Sequence, residues 1–160
     1  DLEGQHITVV LGDGRGGFHP APGSPHASFP RSFSVKAGDV TGDGQLDLLA
    51  VHDDHGKLTV LAGDGRGGFR PLAGSPFEIG RECYGLEPVD LDGDGKLDVA
   101  LAAGEELRVF WQKAGRLVGP VKKAAGVGGF LITRADFDGD GKEEIAIADA
   151  ARNRVVFFGQ

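Results

Sequence analysis

Ala37-Gly-Asp-Val-Thr-Gly-Asp-Gly-Gln-Leu-Asp-Leu-Leu-Ala-Val51 joins an acidic, glycine-rich loop to a short apolar run, and the loop returns twice. Asp39 to Asp47 reappears as Asp90-Leu-Asp-Gly-Asp-Gly-Lys-Leu-Asp98 and as Asp136-Phe-Asp-Gly-Asp-Gly-Lys-Glu-Glu144, the starts lying 51 and then 46 residues apart. A second stretch keeps the same spacing. Ile7-Thr-Val-Val-Leu-Gly-Asp-Gly-Arg-Gly-Gly-Phe18 recurs as Leu58-Thr-Val-Leu-Ala-Gly-Asp-Gly-Arg-Gly-Gly-Phe69, and Gly23-Ser24-Pro25 as Gly74-Ser75-Pro76. Self-similarity at a fixed period of roughly fifty residues marks a repeat architecture.

Working outward from the loops, four short strands are predicted per unit. Strand A covers Phe33 to Ala37, with counterparts at Tyr84 to Val89 and Phe130 to Ala135. Strand B follows the loop at Leu46 to Val51, Leu97 to Ala102 and Ile145 to Ala148, and its Leu, Val and Ala content suits a strand covered on both faces. Strand C covers Leu58 to Ala62, Leu107 to Trp111 and Val155 to Phe158, and strand D begins at Phe18 and Phe69. The Asp-Gly and Gly-Gly pairs between C and D supply the positive φ angles of tight hairpins. Four antiparallel strands repeated at this period predict an all-β chain of β-propeller blades. A β-sandwich also uses many short strands, but it does not explain the fixed repeat.

The units divide the chain into a partial repeat over 1–31 (strands C and D), repeats over 32–82 and 83–128, and a partial repeat over 129–160 (strands A to C). Thirteen strands make about three blades, fewer than the four to eight of closed propellers. The expectation is therefore a partial propeller, either part of a longer one or completed by association with other copies, because open ends leave unpaired strand edges.

The loops carry the chemistry. Calcium takes six to eight oxygens, and carboxylates at positions 1, 3, 5 and 9, with a carbonyl at 7, can wrap one ion. Glycines at positions 4 and 6 allow the sharp turn. Loop two fits throughout, with Asp90, Asp92, Asp94, the Lys96 carbonyl and Asp98. Loop three offers Asp136, Asp138, Asp140, the Lys142 carbonyl and Glu144, whose longer side chain alters the geometry. Loop one offers Asp39, Asp43, the Gln45 carbonyl and Asp47, but Thr41 replaces a carboxylate, so it is expected to be the weakest. An EF-hand needs a bidentate Glu at position 12 between helices; here that position is Ala50, Leu101 or Ile147 in a strand-like run. Asp-Gly loops are often simple turns, yet three in one frame, each entering a strand, point to up to three calcium ions. Three such ions would bring the formal net charge from −7 to −1. Magnesium fits less well because it keeps its waters and a strict octahedron.

On these residues the chain resembles the FG-GAP and VCBS repeat family, best known from the β-propeller of integrin α subunits. Ala37 to Val51 and Leu58 to Phe69 follow that repeat almost throughout, while Thr41, Glu144 and the turn near Gln112 to Leu117 depart from it. The resemblance implies that metal stabilises the blade loops. It also implies an extracellular, periplasmic or cell-surface module that binds protein or carbohydrate.

Other classes fit poorly. The negative charge disfavours nucleic acid, and no apolar run approaches the eighteen residues of a membrane-spanning helix. No nucleophile motif accompanies the five histidines and no phosphate-cradling loop precedes a helix, so no enzymatic activity is expected. Cys83, the only cysteine, reads as a small buried side chain. The chain lacks an initiating methionine and a signal peptide, as a mature or excised piece would. His52-Asp53-Asp54-His55 is an unusual polar cluster, read as a solvated turn between strands B and C rather than a transition-metal site. Two functional readings remain: a module recognising protein or glycan, and a scaffold whose calcium is purely structural. Any ligand is expected on the face opposite the acidic loops, where the connections vary between units, with His52, His55, Phe77 and Arg152 as contacts.

Overall fold

The computed structural model describes residues 6–28, 31–124, 126 and 128–159. It is all-β. Strands β1 (His6–Ile7), β2 (Val10–Gly12), β3 (Phe18–Pro20) and β4 (His26–Ala27) form two short antiparallel pairs, β1 with β4 and β2 with β3. The first full blade contains β5 (Ser34–Gly38), β6 (Asp47–His52), β7 (Lys57–Gly63) and β8 (Phe69–Pro71) in that order, with β9 (Phe77–Glu78) also paired to β7. The second is β10 (Cys83–Val89), β11 (Asp98–Ala103), β12 (Glu106–Lys113) and β13 (Arg116–Ala124). The last sheet holds β14 (Gly129–Ala135), β15 (Glu144–Asp149) and β16 (Arg154–Phe158). Two four-stranded blades flanked by incomplete ones make a partial β-propeller.

Strand B of each blade is buried because it lies between its neighbours. All six residues of β11 are buried. Since side chains alternate across a strand, Val99, Leu101 and Ala103 pack toward the preceding blade with Leu49, Val51, Leu58 and Val60. Ala100 and Ala102 pack toward the following blade with Ile132, Ile145 and Ile147. Phe110, fully buried, closes the first of these cores. Glu87 ties three A strands together: its carboxylate lies 2.7 Å from Lys36 Nζ of β5 and 3.7 Å from Arg134 Nε of β14.

Three of the thirteen predicted strands are interrupted. The first strand C is split into β1 and β2, and two D strands are split into β3 with β4 and β8 with β9. The repeated Gly-Ser-Pro explains the breaks. Proline cannot donate to a ladder, so backbone pairing stops there. The serine before it supplies an acceptor in place of a strand carbonyl: Ser24 Oγ accepts from Val9 N at 3.0 Å, and Ser75 Oγ from Val60 N at 2.9 Å. The turn near Gln112 to Leu117 also differs in shape. It is a two-residue hairpin of Ala114 and Gly115, with φ of 51° and 77°, that pairs Lys113 with Arg116.

The connection after β6 is not a solvated turn. It is a 3-10 turn over Asp53–His55 in which His52 and Asp53 are buried. The His52 ring lies within hydrogen-bonding distance of the hydroxyls of Ser28, Ser32 and Thr59, and Asp53 Oδ1 accepts from Cys83 N. A polar side chain at the end of a covered strand must find partners inside the blade, and the three hydroxyls supply them. Cys83 is buried as expected, and burial pushes its thiol up to about 12.

Candidate metal-binding loops

Each acidic loop links strand A to strand B and is built on the carboxylate at its first position. Asp39 Oδ1 accepts from Gly42 N and Asp43 N, and its Oδ2 from Gly44 N. Asp90 accepts from Gly93 N and Gly95 N, both at 2.8 Å, and Asp136 from Gly139 N and Gly141 N at 2.7 and 3.0 Å. The glycines at positions 4 and 6 have φ between 74° and 88°, where a β-carbon would be strained. Position 5 caps position 7: the amides of Gln45, Lys96 and Lys142 donate to Asp43, Asp94 and Asp140.

The ninth position works differently. Asp47 and Asp98 are fully buried. Asp98 Oδ2 accepts from Leu91 N at 3.2 Å and Oδ1 from Gln112 N at 2.8 Å, so one carboxylate fastens the loop to strand C. Asp47 does the same with Val40 N, Thr41 N and Gly63 N. Burial raises both carboxyls above their ordinary range, against the opposing pull of these amides. The local frame of the loops was legible in sequence, but this anchoring to strand C was not.

Three carboxylate oxygens lie within 4.8 Å of one another at Asp90, Asp92 and Asp94, and again at Asp136, Asp138 and Glu144. Glu144 Oε2 accepts from Phe137 N at 2.8 Å, the bond that Asp47 and Asp98 make at the same position of their loops, and Glu144 joins the converging group as well. Among the described residues loop one forms no such group: Asp39, Asp43 and Asp47 do not converge, and the Thr41 hydroxyl turns to Asp39 Oδ1 at 3.4 Å. All-oxygen clusters of carboxylates are donor sets for hard cations, not for transition metals. Loops two and three fit such an ion, with Asp90, Asp92 and Asp94, or Asp136, Asp138 and Glu144, to hold it. Lys113 Nζ also reaches loop two, 2.6 Å from Asp92 Oδ2, and its ammonium holds the Asp92 carboxyl below the usual range.

Of the four expected ligand contacts, His55 and Arg152 are exposed, Phe77 is half-buried and His52 is buried. His52 is fully buried, so its assignment as a contact is corrected: the ring belongs to the blade interior. Phe77 is half-buried, edge-on to Phe110 at 5.4 Å, and packs against the core. Arg152 is partly exposed but paired with Glu105 at 2.8 Å and with Asp149 at 3.4 Å. His55 is exposed. Sequence reasoning missed a groove of about 540 Å³ between the A strands, lined by Phe33, Lys36, Tyr84 and Leu131. Its signal was available, since Phe33 and Tyr84 each stand six residues before the first aspartate of a loop.

Two overlapping segments, residues 39–101 and 90–147, match the FG-GAP-like repeat. The chain belongs to the FG-GAP-like repeat family. Both matches open on the first aspartate of an acidic loop, Asp39 and Asp90, and both end in a strand B. A search of curated proteins returned no match. FG-GAP-like repeats are β-propeller blades and serve as structural and binding modules that occur in extracellular or surface proteins. Among the described residues no helix is long and apolar enough to cross a membrane.

Proposed function

We propose that this chain is a calcium-stabilised, non-enzymatic binding module of the extracellular or cell-surface environment, recognising protein or glycan through the propeller face opposite its acidic loops. The observation that carries the calcium reading is the convergence of three carboxylates in each of loops two and three on a frame already ordered by backbone amides. Crowding like charges without a counter-ion is unfavourable, and a hard divalent cation relieves it. Loop one, with Thr41 and no convergence, is the weakest site.

The binding half rests on a separate observation. Phe33, 54 % exposed, stands edge-to-face with Tyr84 at 5.2 Å, at the ends of the A strands remote from the acidic loops. An exposed aromatic backed by a half-buried one favours recognition over a bare scaffold. The scaffold reading has its own support in the burial of His52 and the pairing of Arg152, which withdraw two candidate contacts.

Thermal unfolding in chelator, calcium and magnesium tests the calcium reading. Extracellular-type sites have Kd of about 10⁻⁴–10⁻³ M. At about 1 mM free calcium the tighter end gives about 1.4 kcal/mol per site by linkage. Calcium should raise Tm and magnesium should barely move it. A Tm indifferent to all three conditions would overturn the proposal.

A further inference from the structure

The C–D turn differs between blades, and the difference reaches loop two. In the first two C–D turns an aspartate stands at the end of strand C and caps its own turn. Asp13 Oδ1 accepts from Arg15 N and Gly17 N, and Asp64 Oδ1 from Arg66 N and Gly68 N. The pairing of Leu48 with Leu61 and of Val99 with Phe110 makes Lys113 the structural counterpart of Asp64. The short Ala114-Gly115 hairpin has no long turn for that side chain to cap. Lys113 instead folds over loop two, its Nζ 2.6 Å from Asp92 Oδ2 and 3.7 Å from Asp94 Oδ2.

We propose that Lys113 is a built-in counter-ion of loop two, holding Asp92 and Asp94 together in the metal-free protein and competing with a divalent cation for the same oxygens. The proposal rests on the reading that the loops take up calcium. An ammonium bonded to Asp92 Oδ2 denies that oxygen to the ion, and once displaced it remains a nearby like charge. Among the described residues loop three has no such lysine from strand C. Lys142, of the loop itself, lies 3.9 Å from Asp140, as Lys96 lies 3.5 Å from Asp94 in loop two, and Asp140 stands outside the converging group of Asp136, Asp138 and Glu144. Loop two, with the same number of carboxylates, therefore binds calcium more weakly than loop three. It is also less dependent on calcium for order.

Trp111, the only tryptophan, stands beside this lysine, with Lys113 Nζ 6.0 Å from the centre of its ring. Because Trp111 also packs with Ile145 and Phe158 of the last blade, Asp138→Ala is carried in every protein compared, the one with wild-type Lys113 included, to silence loop three. Terbium luminescence sensitised by Trp111, displaced by calcium, reads the affinity of this loop in wild type, Lys113→Met and Lys113→Arg. Lys113→Met should tighten loop two by roughly three- to tenfold, as expected for losing one partly exposed competing charge. The gain should shrink at high salt. Lys113→Arg, which keeps the charge, should stay near wild type. Without metal, Lys113→Met should melt below wild type, with circular dichroism confirming that it is folded. An unchanged or weaker affinity in Lys113→Met, beside saturable binding in wild type, would overturn the counter-ion role alone. Absence of saturable binding in all three proteins would overturn the calcium reading and this inference with it.

Discussion

Asp98→Ala separates the structural work of the acidic loop from its metal chemistry. The Asp98 carboxylate is fully buried and accepts two backbone amides, Leu91 N at 3.2 Å and Gln112 N at 2.8 Å, the second from the neighbouring strand. Truncation leaves both amides without an acceptor. A hydrogen bond to a charged group contributes about 1.5–3 kcal/mol, and an unsatisfied buried donor costs about 1–3 kcal/mol. Against that loss stands the relief of a buried charge, the effect that raises the Asp98 carboxyl. The balance is a destabilisation of about 2–4 kcal/mol. It should appear in full in the presence of chelator, because neither bond involves metal. Asp94→Ala is the control: Asp94 is exposed, accepts from Lys96 N within its loop, and pairs with Lys96 and Lys113 only at the surface, at 3.5 and 3.7 Å. It should cost less than about 1 kcal/mol in chelator and instead lose the calcium-dependent increment of loop two. Urea unfolding of both variants, with and without calcium, measures the four values. If Asp98→Ala in chelator were no less stable than Asp94→Ala, the ninth carboxylate would not be the fastening of loop to strand C, and the argument would fail.

Two further outcomes follow from charges the fold has placed. Carboxyl titration by NMR in chelator should find Asp47 and Asp98 above, and Asp13, Asp64 and Asp92 below, the ordinary aspartate midpoint. The stability contributed by the second group is present above the unfolded midpoint and lost as pH falls through the folded one. The first group opposes it, since its ionised form is the costly one in the fold; a common midpoint for all five would refute the environments described. Glu87→Ala should destabilise by about 1–2 kcal/mol, below the cost of breaking a fully buried pair because Lys36 and Arg134 can turn to water. A denaturation midpoint equal to wild type would show that the three A strands are held by apolar packing alone.

The sequence by itself determined the repeat, the blade and the frame of each loop, because these depend on neighbours within a few residues. An aspartate that accepts amides three and five positions on, with glycines at the positive φ angles between, needs no distant partner. The alternation that buries both faces of β11 is likewise written in its own residues. Only the tertiary structure decided what lies across a strand pair or between blades. Lys113 reads as an ordinary surface lysine until the β11–β12 register carries it beside Asp92, 21 residues away in the chain. His52 reads as part of a polar turn until Ser28, Ser32 and Thr59 close around it. Asp98 reads as one more loop carboxylate until Gln112 of the neighbouring strand claims it. Local backbone geometry is a property of residue type and spacing, whereas the partner of a long side chain is set by registers and blade packing that only the folded chain brings into being.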